Sequence, residues 1–199
     1  DRSHRSEDEI KKMLKQMKYE KLEFDFQKLK ILKIQTYKSD PKILLDKLKS
    51  VKSLTKFSMK CYDSTNFYQS LIDLLSRQTD LKELELSAGK MHKVFTKDSN
   101  FDFKLKKLTL HDFSFKDRDH ENLRKFLLTQ IQCLQELCIL SWFEEKLYDE
   151  IYQLKNLKYL TTHRIPPRFQ TSCDFPVSMP SVTHFRYHGG NSNESFDKL

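Results

Sequence analysis

A short apolar pattern recurs along this chain: one apolar residue, two variable residues, a second apolar residue, one variable residue, a third apolar residue. It reads Leu29, Leu32, Ile34, then Leu54, Phe57, Met59, then Leu81, Leu84, Leu86. Leu105, Leu108, Leu110 and Leu134, Leu137, Ile139 follow. Leu157 and Leu160 come next, with Thr162 in the third slot, and Val182, Phe185, Tyr187 close the series. The first positions lie 25, 27, 24, 29, 23 and 25 residues apart. A near-constant period of this length is the mark of stacked structural units, each unable to bury its apolar face alone. The last two positions alternate as in a half-buried strand. Stacked strands of this kind run parallel, and parallel strands need a return path. Residues at helical spacing supply it: Ile43, Leu44, Leu45 and Leu48; Phe67, Leu71, Leu74 and Leu75; Leu123, Phe126, Leu127 and Ile131; Leu147, Ile151 and Leu154. Asp40 followed by Pro41 reads as a helix start. Residues 91–103 carry a weaker signal, for a short helix or an irregular turn. Residues 164–181 hold four of the five prolines, which predicts an irregular crossover.

Composition agrees with a thin core and much solvated surface. Of 199 residues, 38% are hydrophobic and 32% charged, which suits an elongated fold better than a compact globule. The net charge of +8 favours acidic partners, but the lysines are spread along the chain, as on a solvated face. The four cysteines, Cys61, Cys133, Cys138 and Cys173, form no CxxC pair and no flanking cluster. They read as reduced thiols in a reducing compartment, so an intracellular location, cytoplasm or nucleus, is expected. No apolar run is long enough to cross a membrane. One glycosylation sequon, Asn193-Glu194-Ser195, lies in a polar stretch. The expected organisation is an N-terminal amphipathic helix or cap over 1–18, a repeat array of about seven strands over 19–188, and a polar tail over 189–199. Within the first part, Ile10, Leu14 and Met17 share a helical face. Tyr19, Leu22 and Phe24 then imitate the strand pattern too close to Leu29 for a full repeat, which suggests a capping strand.

Over roughly residues 19–188 these features resemble the leucine-rich-repeat superfamily. The implied fold is an α/β solenoid, a curved parallel sheet with helices and irregular turns on the convex side. The fragments LIDLLSRQTDLKELELS (71–87) and LRKFLLTQIQCLQELCIL (123–140) resemble the helix-containing repeats of F-box/leucine-rich-repeat proteins. In each, a helix ends near a glutamine and runs into the strand. Members of that family are substrate receptors of cullin-based ubiquitin ligases: the F-box binds a Skp1-like adaptor and the repeats bind substrate. About 18 residues precede the first strand, too few for an F-box, so a Skp1-like adaptor is expected only if an F-box lies upstream. The repeats also depart from regular types, with Gln35 and Lys60 where an asparagine would follow the strand.

Chemistry is not expected. The chain has no serine nucleophile elbow, phosphate loop, HExxH helix or GxGxxG stretch, and three glycines cannot build the usual phosphate cradle. No cofactor or metal is implied. His111, His163, His184 and His188 fall on or just after strands, but a zinc site needs three or four converging ligands. The paired acids Glu144-Glu145 and Asp149-Glu150 read as a solvated helix face. The variable strand positions alternate in charge, unlike the uniformly basic track that nucleic acid needs, so nucleic acid or ribonucleoprotein is the weaker alternative. A protein partner on the concave face is the leading expectation. Leu140, Trp142 and Tyr159 offer apolar area there, flanked by His111 and His163 and bordered by Lys107 and Glu136.

Overall fold

Each apolar triplet becomes a strand, and each strand begins two residues after the triplet's first position. The strands are β1 (Ile31–Thr36), β2 (Lys56–Cys61), β3 (Glu83–Ala88), β4 (Lys107–His111), β5 (Glu136–Leu140), β6 (Tyr159–Thr162) and β7 (His184–Gly189). The computed structural model describes residues 28–36, 41–61, 66–89, 93–111, 120–140, 145–163, 179, 181–189 and 192–197. β1 to β7 are parallel and lie side by side in chain order, forming one open sheet in an α/β arrangement. The register aligns like with like. Leu32, Phe57, Leu84, Leu108, Leu137, Leu160 and Phe185 form one continuous row across the sheet. Ile34, Met59, Leu86, Leu110, Ile139, Thr162 and Tyr187 form the next.

The geometry repeats where each strand starts. The carbonyl of Lys30 accepts both the Thr55 and Lys56 N–H groups, at 2.7 and 3.1 Å. The carbonyls of Thr55, Lys82, Lys106, Gln135 and Lys158 each accept two successive N–H groups of the next junction in the same way. Neighbouring units are thus bonded through the backbone at the same point each time, whatever side chain stands there.

Among the described residues, four α-helices return the chain: α1 (Lys42–Lys47), α2 (Tyr68–Leu75), α3 (His120–Thr129) and α4 (Tyr148–Ile151). Their apolar residues share one core with the two rows of the sheet. Phe67, Leu71, Leu74 and Leu75 are buried on α2 and its start, and Leu123, Phe126 and Leu127 on α3. Leu147, Ile151 and Leu154 do the same around α4. At α1 the helical spacing overstates burial. Leu45 and Leu48 are buried, but Ile43 is 71% exposed and Leu44 44%. α1 returns from the first strand and packs against α2, so its other side meets no helix among the described residues. The Pro41 carbonyl accepts the Leu45 N–H at 2.9 Å, which places the proline at the helix start; Asp40 lies outside the described residues.

Residues 93–106 form turns, with no regular helix among those described. Phenylalanine replaces the missing helix as filler. Phe95 and Phe103 are almost fully buried, and Phe95 meets Phe126 of α3 with ring centroids 4.9 Å apart.

Two glutamines bind neighbouring units together. Gln78 is fully buried just beyond α2. Its Oε1 accepts the Leu54 N–H at 3.1 Å, and its Nε2 donates to the carbonyls of Val51 (2.7 Å) and Leu74 (2.8 Å). Gln130, just beyond α3, repeats the contact one period on. Its Oε1 accepts the Leu105 N–H at 2.9 Å, and its Nε2 donates to the Phe103 carbonyl at 3.3 Å. In both cases a helix end satisfies backbone groups just before the preceding strand, groups that burial would otherwise leave unpaired.

Two sequence expectations are corrected here. Glu150 is not on a solvated face: it is 4% exposed and takes an ion pair from Arg124 of α3 at 2.7 Å. A buried carboxylate needs such a partner. The polar residues expected to form a tail include a further strand, β8 (Ser192–Asp197), antiparallel to β7. Strand pairing at a sheet edge is a backbone interaction and needs no apolar pattern, so composition did not signal it. The expected N-terminal helix and capping strand, and residues 164–178 and 180 of the expected irregular crossover, Cys173 among them, lie outside the described residues. No helix among the described residues is long and apolar enough to cross a membrane.

Candidate functional site

Side chains alternate across a strand, so the residues between the buried rows point to the face opposite the helices. Three rows result. The first is Ile31, Lys56, Glu83, Lys107, Glu136, Tyr159 and His184, in register across the sheet. The second is Lys33, Ser58, Glu85, Thr109, Cys138, Thr161 and Arg186. The third runs Gln35, Lys60, Ser87, His111 and Leu140.

Over β2 to β5 the charges on this face cancel each other. Lys56 pairs with Glu83 at 2.6 Å, and Lys107 with Glu136 at 2.6 Å. Glu85 gathers three neighbours: Lys60 at 3.0 Å, the Ser58 hydroxyl at 2.9 Å, and the His111 Nε2 at 3.9 Å. Burial pushes the Glu85 carboxyl upward, but hydrogen bonds from Lys60 and Ser58 outweigh it and hold the group below its ordinary range. A carboxyl lowered in the folded state stabilises the fold above the ordinary carboxylate range. That contribution is lost as pH falls through the lowered value. The hydrogen bond with Glu136 raises the Lys107 ammonium, so this pair is intact at neutral pH.

Beyond β5 the character changes. The Tyr159 ring, 44% exposed, stacks on the His184 ring with centroids 4.5 Å apart and planes 19° from parallel. Arg186 is exposed in the second row, next to Thr161. Leu140 is half-buried opposite His111. His163 directly follows β6, and Glu136 faces Tyr159 across the strand gap. Of the expected site residues, Lys107, Glu136 and Tyr159 therefore lie side by side in one row, and His111 and Leu140 in another. Trp142 lies outside the described residues. His184 and Arg186 were not among the expected residues. Their signal was the register itself: His184 stands just before its buried position, as Tyr159 does, and equal offsets put residues of adjacent parallel strands side by side.

No cluster of three or more His, Cys, Asp or Glu side chains able to hold a metal occurs among the described residues. The helix side carries a cavity of about 130 Å³ between Phe95, Phe101 and Phe126, with Lys97 and Lys125 at its border. That volume is well below the roughly 300–1,000 Å³ of small-molecule sites. Cys138 sits in the middle of the opposite face. Burial pushes its thiol up to about 11, against the pull of Lys107 and Arg186. Burial raises the Cys133 thiol as well, and Cys61 is buried. Thiolates are the reactive form, so Cys133 and Cys138 should alkylate slowly in the native chain, and Cys61 should do so because reagent cannot reach it. Peptide-level mapping at pH 7.5 should show labelling of Cys61, Cys133 and Cys138 at least about tenfold faster in urea than in buffer. Cys138 reacting at the rate of a free thiol would contradict its placement.

The arrangement presents a mixed polar and aromatic surface, in which the Ser58 hydroxyl is bonded to Glu85 and the Thr183 hydroxyl lies 2.8 Å from the His184 Nδ1. Comparison of the chain with protein-family models, with curated proteins and with solved structures gave no match in any of the three.

Proposed function

We propose that this chain is a leucine-rich-repeat array that binds another protein through the concave face of its sheet. The observation that carries this reading is the exposed Tyr159 ring stacked on His184, beyond the strands β2 to β5 on which lysines and glutamates are cross-paired. A rigid, half-exposed aromatic beside an arginine is the composition of an interface anchor. The cross-strand pairs disfavour a nucleic-acid track, because each lysine paired with glutamate has little charge left to offer a phosphate. The in-register rows, the chain-order parallel sheet and the recurring strand-start hydrogen bonds support the repeat reading. The resemblance to F-box/leucine-rich-repeat proteins extends it to a substrate-recognition role in a cullin-based ubiquitin ligase.

Affinity purification with the full-length protein tests both parts. Recovery of a Skp1-like adaptor and a cullin is expected for the ligase role; a partner recovered without them removes that role and keeps the binding one. Against an identified partner, Tyr159→Ala should weaken binding at least tenfold, on the order of 1.4 kcal/mol or more, with an unchanged urea midpoint. Lys107→Ala should act mainly on association rate, and less at high salt. Normal binding by Tyr159→Ala, with loss on charge reversal at Lys56 and Lys60, would move the site to the N-terminal strands.

A further inference from the structure

The opposite-helix face divides by charge, and the division points to a ligand chemistry. Every acidic side chain described on this face in β1 to β7 already carries a cation: Glu83 holds Lys56, Glu85 holds Lys60, and Glu136 holds Lys107. Arg186, in contrast, has no hydrogen bond or ion pair among the described residues and stands exposed. Its register neighbours are Thr161 on β6 and Ser195 on β8, both uncharged. Arg186, Thr161 and Cys138 stand in one row across β7, β6 and β5. The Tyr159–His184 stack makes an aromatic wall in the adjacent row. The last strand brings two acids to β7, Glu194 opposite Tyr187 and Asp197 opposite His184, and neither stands opposite Arg186.

An exposed guanidinium with no partner among the described residues, beside a flat aromatic wall, is suited to a carboxylate, which it can grip through two parallel hydrogen bonds. Building on the protein-binding reading, we propose that the face over β5 to β7 receives an acidic segment, rich in Asp and Glu, of a protein partner, with Arg186 as its ion-pairing anchor. A single arginine flanked by uncharged residues favours a local carboxylate over a polyphosphate chain, which needs a continuous basic track.

The test uses the whole chain and fluorescein-labelled probes in anisotropy titrations: deca-glutamate, deca-lysine and a ten-nucleotide oligouridylate. Deca-glutamate should bind saturably, and deca-lysine should not. Arg186→Glu should weaken deca-glutamate at least tenfold, and Arg186→Gln several-fold, both with wild-type circular dichroism. Lys52→Glu makes the same charge change at an exposed site before β2 and should stay within twofold of wild type. Equal loss in Lys52→Glu would reduce the effect to overall charge and overturn the proposal. So would oligouridylate binding more tightly than deca-glutamate, or deca-glutamate failing to bind. If deca-glutamate fails while Tyr159→Ala still releases the partner recovered with the full-length protein, only the acidic chemistry falls and the protein-binding reading stands.

Discussion

Gln78→Leu should destabilise the chain by roughly 2–6 kcal/mol, although leucine is apolar and close in size. The loss comes from the backbone and not from the glutamine. With the amide gone, the Leu54 N–H loses its acceptor at 3.1 Å and the Val51 carbonyl its donor at 2.7 Å. Gln78 is fully buried, as are Leu54 and Val51, so water cannot take over. Each orphaned buried group costs about 1–3 kcal/mol. Urea denaturation of Gln78→Leu and Gln130→Leu should show both effects, because Gln130 makes the corresponding contacts to Leu105 and Phe103. Hydrogen exchange should locate the damage at Leu54 and Leu105, which lie 24 and 25 residues before their glutamines. A loss below about 0.5 kcal/mol, the size of an ordinary surface change, would show that these amides do not brace the units.

Leu84→Ala should cost about 2–5 kcal/mol, the range for a large-to-small change that leaves a cavity. Leu84 is 1% exposed and sits between Phe57 and Leu108 in the buried row, so the gap opens towards both neighbouring units. Lys82→Ala, two residues earlier and exposed, should change stability by less than about 0.5 kcal/mol. The Lys82 carbonyl still accepts the Lys106 and Lys107 N–H groups in that variant, because the bond is made by the backbone. Equal effects from the two substitutions would mean that the row assignment is shifted. Leu84→Ala combined with Gln78→Leu tests whether one unit fails as a block. Coupling beyond about 0.5 kcal/mol would indicate that it does.

The parallel sheet and its register were legible in the sequence. An apolar triplet repeated at a near-constant period has one consistent arrangement, in which equal offsets line up, because only stacking hides each strand's apolar face. Lys107, Glu136 and Tyr159 fell into one row for that reason, and so did the charge alternation of the face. The glutamines were visible as residues at helix ends, but their function was not. Hydrogen-bond partners 24 to 27 residues away leave no local trace, since many side chains could satisfy the same backbone group. The burial of Glu150 was equally hidden: it follows another acid, Asp149, which is exposed, and only the packing of α4 on α3 brings Arg124 to it. β8 needed the structure because an edge strand recruits backbone groups and leaves side-chain pattern free. The contrast between Glu136, held by Lys107, and Arg186, held by nothing described, also belongs to the tertiary structure. Sequence sets which charges share a face; only the distances between side chains on neighbouring strands decide which of them remain available to a partner.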